Sequence, residues 1–132
     1  MKESYMGKNI MDIEEFLKKS STISVKHMPD SSKYKAKKFS SWKEFWEDAK
    51  KGEMTFPTHR TKCECCGEIT NPEDFVGAHI VNVHNSREMY IYPLCNSCNS
   101  TYGEGKKESP TFDVHKDMCV VFKVSDADII EK

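Results

Sequence analysis

The chain has 132 residues, of which 31% are charged and 37% belong to the hydrophobic set, and its formal net charge is −1. This is the size of one ordinary domain with one modest core. No apolar run approaches the roughly 20 residues that a helix needs to cross a bilayer. Acidic residues interrupt the apolar patches near the N-terminus, where a secretory signal would lie. We therefore expect a cytoplasmic protein without a membrane partner.

The net charge conceals two segments of opposite sign. Residues 22–62 contain ten Lys or Arg against five acidic residues, whereas residues 63–132 contain six against twelve. Because a polyanion is attracted to the first segment and repelled by the second, we predict nucleic-acid contact through Lys35, Lys37, Lys38, Arg60 and Lys62. Tyr34 and Phe39 lie among these residues, which suits stacking on bases. A plain solvated lysine surface is the alternative, and it stays open.

In chain order, the first predicted element is a short amphipathic helix over residues 10–19. Residues 22–27 alternate in polarity and predict a strand, and residues 29–33 predict a turn. A second helix begins at Ser41, which forms a capping-box pattern with Glu44. Its apolar stripe has helical spacing and consists of Trp42, Phe45, Trp46 and Ala49. We interpret this stripe as a core face and Gly52 as the helix C-cap.

From residue 63 onwards the pattern changes to short strands separated by turns. We predict two strands, over residues 75–83 and 88–92, joined across residues 84–87. A short helix is predicted near Asn96, and a late strand over residues 118–124. Gly77 and Ala78 are two small residues in the first of these strands, so we expect another segment to approach it closely there.

Four cysteines have the spacing of a closed metal site. They form two Cys-x-x-Cys turns, at Cys63 and Cys66 and at Cys95 and Cys98. Such a turn directs both sulfurs at one ion, and two turns complete the tetrahedral four-cysteine geometry of structural Zn²⁺. Two cysteines remain outside this pattern. Cys65 has a poor chelating spacing, and Cys119 is expected to behave as a small hydrophobe.

The segment from Cys63 to about Tyr102 resembles the zinc-containing branch of the HNH endonuclease superfamily. The resemblance is carried by the two cysteine pairs, by Ala78-His79-Ile80, and by Leu94-Cys95-Asn96-Ser97-Cys98-Asn99. It implies a ββα treble clef in which His79 is the general base and Asn99 holds a Mg²⁺ or Mn²⁺ ion. Ala78 departs from the pattern, because it occupies the position of the first metal ligand in the family.

We therefore expect an α+β protein, with an N-terminal helical and basic extension over residues 1–60 and a zinc-stapled treble clef over residues 61–132. The favoured function is an HNH-like zinc module without nuclease activity that binds nucleic acid or a protein partner. The alternative is a divalent-metal-dependent endonuclease that uses His79 as general base. An interaction protein with the Trp42 and Trp46 helix as its contact surface is a third possibility.

Overall fold

A computed structural model describes residues 21–29, 31–104 and 106–129. Within these ranges the chain is mixed α plus β and consists mostly of strands. The strands are β1 (Thr22–His27), β2 (Tyr34–Ala36), β3 (Thr61–Lys62), β4 (Ile69–Thr70), β5 (Phe75–Asn82), β6 (Asn85–Cys95), β7 (Phe112–His115), β8 (Val120–Val121) and β9 (Ala127–Ile129). The two helices are α1 (Trp42–Ala49) and the single-turn α2 (Asn96–Cys98). Helix α2 continues as a π-helical turn over Asn99–Gly103.

Five of the strands form one antiparallel sheet in the order β7-β1-β5-β6-β8. Its longest pairing is the β5–β6 hairpin, which runs from Phe75 opposite Cys95 to Val81 opposite Met89. Strand β1 lies between β7 and β5, so the segment before residue 61 supplies an inner strand of this sheet. Strands β2 and β9 form a separate two-stranded ladder, as do β3 and β4.

Helix α1 packs against strands β5 and β6 through its aromatic stripe. Trp46 is fully buried, and its Nε1 donates a hydrogen bond to the carbonyl oxygen of Met118 at 2.7 Å. Trp42 is half-buried, and its Nε1 donates to the carbonyl oxygen of Tyr34 at 3.2 Å. The two tryptophans therefore pack in the core as predicted, with both indole N–H groups satisfied, whereas Ala49 at the end of the stripe is exposed.

Helix α1 begins after Ser41 as predicted, but its capping box and its C-cap differ from the sequence prediction. The N-cap is Ser41, whose Oγ accepts from the backbone N–H of Glu44 at 3.2 Å. The Glu44 carboxylate accepts from the N–H of Ser40 rather than from that of Ser41. At the other end the C-cap is Lys50 instead of Gly52. Gly52 follows in the left-handed region with φ +84°, where glycine is favoured.

The N-terminus of α1 lies directly on strand β5, as the small residues there predicted. A Cβ atom at Gly77 would stand 2.6 Å from the carbonyl carbon of Trp42 and 2.7 Å from the backbone nitrogen of Lys43. Only glycine permits this approach, because the atoms it would meet belong to backbone that cannot swing aside.

The strand over residues 22–27 is confirmed, but two other boundaries are corrected. Strand β6 already begins at Asn85, so the hairpin turn is Val83 and His84 rather than residues 84–87. The late strand shrinks to Val120–Val121, because 3₁₀ turns at Lys116–Met118 and Val124–Asp126 flank it. The predicted helix over residues 10–19 lies outside the described residues. Among the described residues, no helix has both the length and the apolar character needed to span a membrane.

Candidate functional site

The first cysteine pair lies on a tight turn between β3 and β4. The N–H of Gly67 donates to the carbonyl oxygen of Cys63 at 2.7 Å, and the N–H of Cys63 donates to that of Glu68 at 2.9 Å. Gly67 has a φ of +78°, a conformation that costs glycine little. These two hydrogen bonds hold the turn that carries Cys63 and Cys66.

The second pair lies where strand β6 passes into helix α2. The N–H of Cys98 approaches the sulfur of Cys95 at 3.4 Å, and the N–H of Cys95 approaches the sulfur of Cys63 at 3.5 Å. Backbone N–H groups that point at sulfur stabilise its thiolate form. One of these bonds joins the two turns directly.

All four predicted ligand sulfurs converge. The Sγ atoms of Cys63, Cys66, Cys95 and Cys98 lie within 4.8 Å of one another, and those of Cys66 and Cys95 are 3.9 Å apart. A tetrahedral ion with Zn–S bonds of about 2.3 Å would separate its sulfurs by about 3.8 Å. The cluster is thus of the right size to hold a metal ion.

The electrostatics of the cluster favour a bound cation. Burial raises the pKa of Cys95 and that of Cys98. At Cys63 burial also opposes ionisation, but backbone N–H groups of Cys95, Cys66 and Cys65 outweigh it and lower the pKa. Thiolates in such close contact repel one another, so a divalent cation is the natural counter-charge for the set.

The two other cysteines stay outside the cluster, as expected. Cys65 is half-buried, and burial raises the pKa of its thiol to about 11. Cys119 is buried beside strand β8, and burial raises its pKa to about 12. Neither sulfur belongs to the group of four that converge, and the protonated thiol of Cys119 is a weak nucleophile.

His79, the predicted general base, lies in strand β5 and is enclosed by aromatic rings. Its ring centroid is 4.7 Å from those of Trp42 and Phe122 and 5.9 Å from that of Tyr34. Only 4% of the residue is exposed, and burial lowers the pKa of His79 to about 4. Within the described part of the chain its Nε2 has no hydrogen-bond partner. The imidazole is therefore neutral at pH 7.

Asn99, the predicted metal-holding residue, lies beside His79. Both line a cavity of about 110 Å³, together with Glu104 from the end of the π-helical turn. Glu104 was not predicted as a site residue, since no sequence motif marks it. Ala78, at the position where the HNH resemblance places a first metal ligand, is fully buried. The cavity has room for a few water molecules.

The predicted nucleic-acid residues do not share one surface cavity. Lys37 and Lys38 line a cavity of about 360 Å³, and Lys35, in strand β2, lines a neighbouring one of about 430 Å³. Lys62 lines a different cavity and lies 3.7 Å from a carboxylate oxygen of Glu64. Arg60 is exposed and lines none of these cavities.

A cavity of about 570 Å³ adjoins the cysteine cluster. Among the described residues, its lining includes Glu68, Asp74 and the exposed Ile69, but no lysine or arginine. A polyanion that entered this cavity would meet the carboxylates of Glu68 and Asp74. The lysines of residues 33–38 therefore offer the better approach for such a ligand.

Comparison of the chain with protein-family models, with curated proteins and with solved structures finds no match. The chemistry of the site is accordingly inferred from its own residues and their geometry.

Proposed function

We propose that the chain is a zinc-stapled, HNH-like treble-clef module that binds nucleic acid without cutting it. The convergence of the four cysteine sulfurs is the observation that carries this proposal. A treble-clef interpretation is supported by the order of elements, in which the Cys63 turn precedes the β5–β6 hairpin and Cys95 opens helix α2.

The donor set suits a structural Zn²⁺ ion. Four cysteine thiolates close a tetrahedron and leave no open coordination position for water or substrate. Cys63 and Cys66 lie on one turn and Cys95 and Cys98 on another, so the ion would tie the β3–β4 ladder to the start of α2. Its role would be to stabilise this part of the fold, because a closed site cannot activate a nucleophile.

The surroundings of His79 argue against nuclease activity. A general base must come within hydrogen-bond distance of the water that it activates, and a divalent ion must hold the scissile phosphate beside it. Here Trp42, Tyr34 and Phe122 cover the imidazole. Ala78 supplies no oxygen ligand, and hard cations such as Mg²⁺ need several.

Unpaired lysines support nucleic acid as the partner. Lys33, Lys35, Lys37 and Lys38 are exposed and follow one another closely in the chain. Among the described residues, none of the four has a carboxylate within ion-pair distance. Positive charge that is not neutralised internally attracts phosphates, and release of their counterions drives association.

The deciding experiment is incubation of zinc-loaded protein with supercoiled plasmid and with single-stranded DNA, in the presence of Mg²⁺ or Mn²⁺. We expect binding that weakens steeply with salt and no cleavage. The matched variant is His79→Ala. Metal-dependent cleavage by the wild type that this variant abolishes would overturn the non-nuclease part of the proposal.

A divalent-metal-dependent endonuclease is the second candidate, and one observation favours it. His79 and Asn99 line the same cavity, and Glu104, which lines it too, would supply a carboxylate oxygen as an additional ligand. Under this hypothesis the covering rings would have to move aside, and Glu104→Gln would reduce cleavage as strongly as His79→Ala. The same plasmid assay therefore distinguishes the two candidates.

A further inference from the structure

One cavity combines positive charge with aromatic rings and is distinct from the cavities beside the cysteine cluster and His79. It has a volume of about 360 Å³ and is lined by Lys37, Lys38, Phe39, Phe45, Ser125 and Asp126. We name it the Phe39 cavity. It shares no lining residue with the cavity of His79 and Asn99. The roles predicted for His79 and Asn99 therefore do not explain the residues that line the Phe39 cavity.

We propose that the Phe39 cavity takes one unpaired base of a single-stranded nucleic acid, while Lys37 and Lys38 hold the adjoining phosphates. This inference rests on the proposed nucleic-acid binding. It goes further by assigning the base to particular residues and by naming single strands as the ligand class. Bases in a duplex are already paired and stacked, so they cannot enter without unpairing.

The aromatic side of the cavity is held in place before any ligand arrives. The rings of Phe39 and Phe45 meet edge to face, with centroids 6.1 Å apart and an interplanar angle of 82°. Phe45 in turn packs edge-on against Trp42 at 5.1 Å. Both phenylalanines are only half-buried. A partly exposed, preorganised ring is a platform on which any base can stack.

The charges around the cavity fit the same ligand. Lys37 and Lys38 are exposed, and the described residues place no carboxylate within ion-pair distance of either. The one acid in the lining, Asp126, already accepts the backbone N–H of Lys123 on its carboxylate at 3.1 Å. This carboxylate repels phosphate but can accept a hydrogen bond from an N–H group of a base, such as the ring N–H of thymine. Such an arrangement places the base inside and the phosphates at the lysines.

The experiment measures fluorescence anisotropy of the zinc-loaded full chain with three labelled ligands. These are an oligothymidylate of about ten residues, an abasic strand of the same length, and the corresponding duplex. We expect the wild type to bind the oligothymidylate about 5- to 100-fold more tightly than the abasic strand, which has the same phosphates but no bases. Binding to the duplex should likewise be weaker.

Two variants assign that difference to the Phe39 cavity. Phe39→Leu keeps apolar volume but removes the aromatic ring, so it should abolish most of the preference for bases and leave abasic binding unchanged. The Lys37→Gln/Lys38→Gln double variant should weaken binding to both strands and reduce the slope of log K against log salt by about 1.4. Zinc content and circular dichroism check that each variant is folded.

The outcomes separate this inference from the function on which it rests. If the abasic strand binds as tightly as the oligothymidylate, the base site is refuted while nucleic-acid binding stands. That comparison uses only the wild type, so it remains decisive even where Phe39→Leu folds poorly. Failure of every oligonucleotide to bind at low salt would refute both and leave a protein partner as the explanation of the lysines.

Discussion

The indole of Trp42 stands edge-on over the imidazole of His79, with ring centroids 4.7 Å apart and an interplanar angle of 78°. Trp42 belongs to helix α1, and Gly77 in strand β5 lets the start of that helix lie against the sheet. A residue from the segment before residue 61 thus covers the strand position at which the HNH resemblance places a general base. Trp42, which covers the imidazole, is thus part of the folded core.

Trp42→Ala is expected to uncover His79. Loss of this half-buried ring should lower the free energy of unfolding by about 2–4 kcal/mol, since a cavity and three ring contacts are affected. Water would then reach the imidazole, and the pKa of His79 should rise from about 4 towards the usual value near 6.5. Urea denaturation measures the first effect, and titration of the imidazole by NMR measures the second.

Trp42→Phe is the matched control for that experiment, because it keeps an aromatic ring over His79. We expect its His79 pKa to stay close to that of the wild type. An unchanged pKa in Trp42→Ala would mean that the surrounding strands, rather than the indole, exclude water from the imidazole.

Gly77→Ala is expected to lift helix α1 from the sheet. The new methyl group would meet the Trp42 backbone at 2.6 Å, closer than real Cβ contacts come. Overpacking of this kind costs about 1–3 kcal/mol. Tryptophan fluorescence should change together with stability, because Trp42 moves with the helix.

Gly52→Ala separates this steric effect from a general loss of glycine. A Cβ at Gly52 would have nothing within 4 Å, and only its φ of +84° is unfavourable. We expect a loss of about 1–2 kcal/mol from that backbone conformation, with unaltered tryptophan fluorescence. Equal spectra for Gly77→Ala and Gly52→Ala would contradict the close approach of α1.

Features that depend on short-range spacing were predictable from the sequence. A local spacing of ligands or of apolar residues marks each of the cysteine turns, helix α1 and the β5–β6 hairpin. The burial of Trp46 followed from its position on the helical stripe. Such patterns require no knowledge of which distant segment supplies the partner surface.

Features that depend on distant partners were not predictable. Strand β2 has three residues, and its partner β9 lies far along the chain, with Lys35 opposite Asp128. The late strand was predicted too long because the apolar residues of this segment extend beyond Val120 and Val121, the two residues that pair with β6. Only Tyr90 and Ile91 pair with β8. The enclosure of His79 likewise needs rings from three separate segments.

Metal analysis of single cysteine variants tests the proposed zinc site. We expect about one zinc ion per chain in the wild type and in Cys65→Ser, but loss of zinc in Cys66→Ser. Cys65 is the matched control, because it is adjacent in sequence yet lies outside the cluster. Structural zinc provides apparent binding energy on the order of 10–16 kcal/mol, so a strong chelator should also unfold this region. Full zinc content in Cys66→Ser would show that the ligands are assigned wrongly.

Two buried histidines are expected to make the protein less stable in mild acid. Besides His79, His27 is 1% exposed and lies between Tyr102 at 5.5 Å and Phe112 at 5.7 Å. Neither ring nitrogen of His27 has a hydrogen-bond partner among the described residues. Burial lowers the pKa of His27, like that of His79, to about 4.

The direction of the effect follows from proton uptake. An unfolded chain protonates its histidines near pH 6.5, whereas the folded protein protonates these two only near pH 4. Between these values the unfolded state binds more protons, so stability falls as the pH falls. From about pH 7 to about pH 5, each histidine should remove about 2 kcal/mol from the free energy of unfolding.

Acid also releases zinc by protonating the thiolates, so the test compares variants that share all six cysteines. His27→Phe keeps an aromatic ring between Tyr102 and Phe112 but cannot take up a proton. Urea denaturation at both pH values should show that this variant loses about 2 kcal/mol less than the wild type. The exposed His84 provides the control, since His84→Gln should retain the wild-type difference. Identical losses in the wild type and in His27→Phe would mean that His27 takes up its proton as readily in the folded protein as in the unfolded chain.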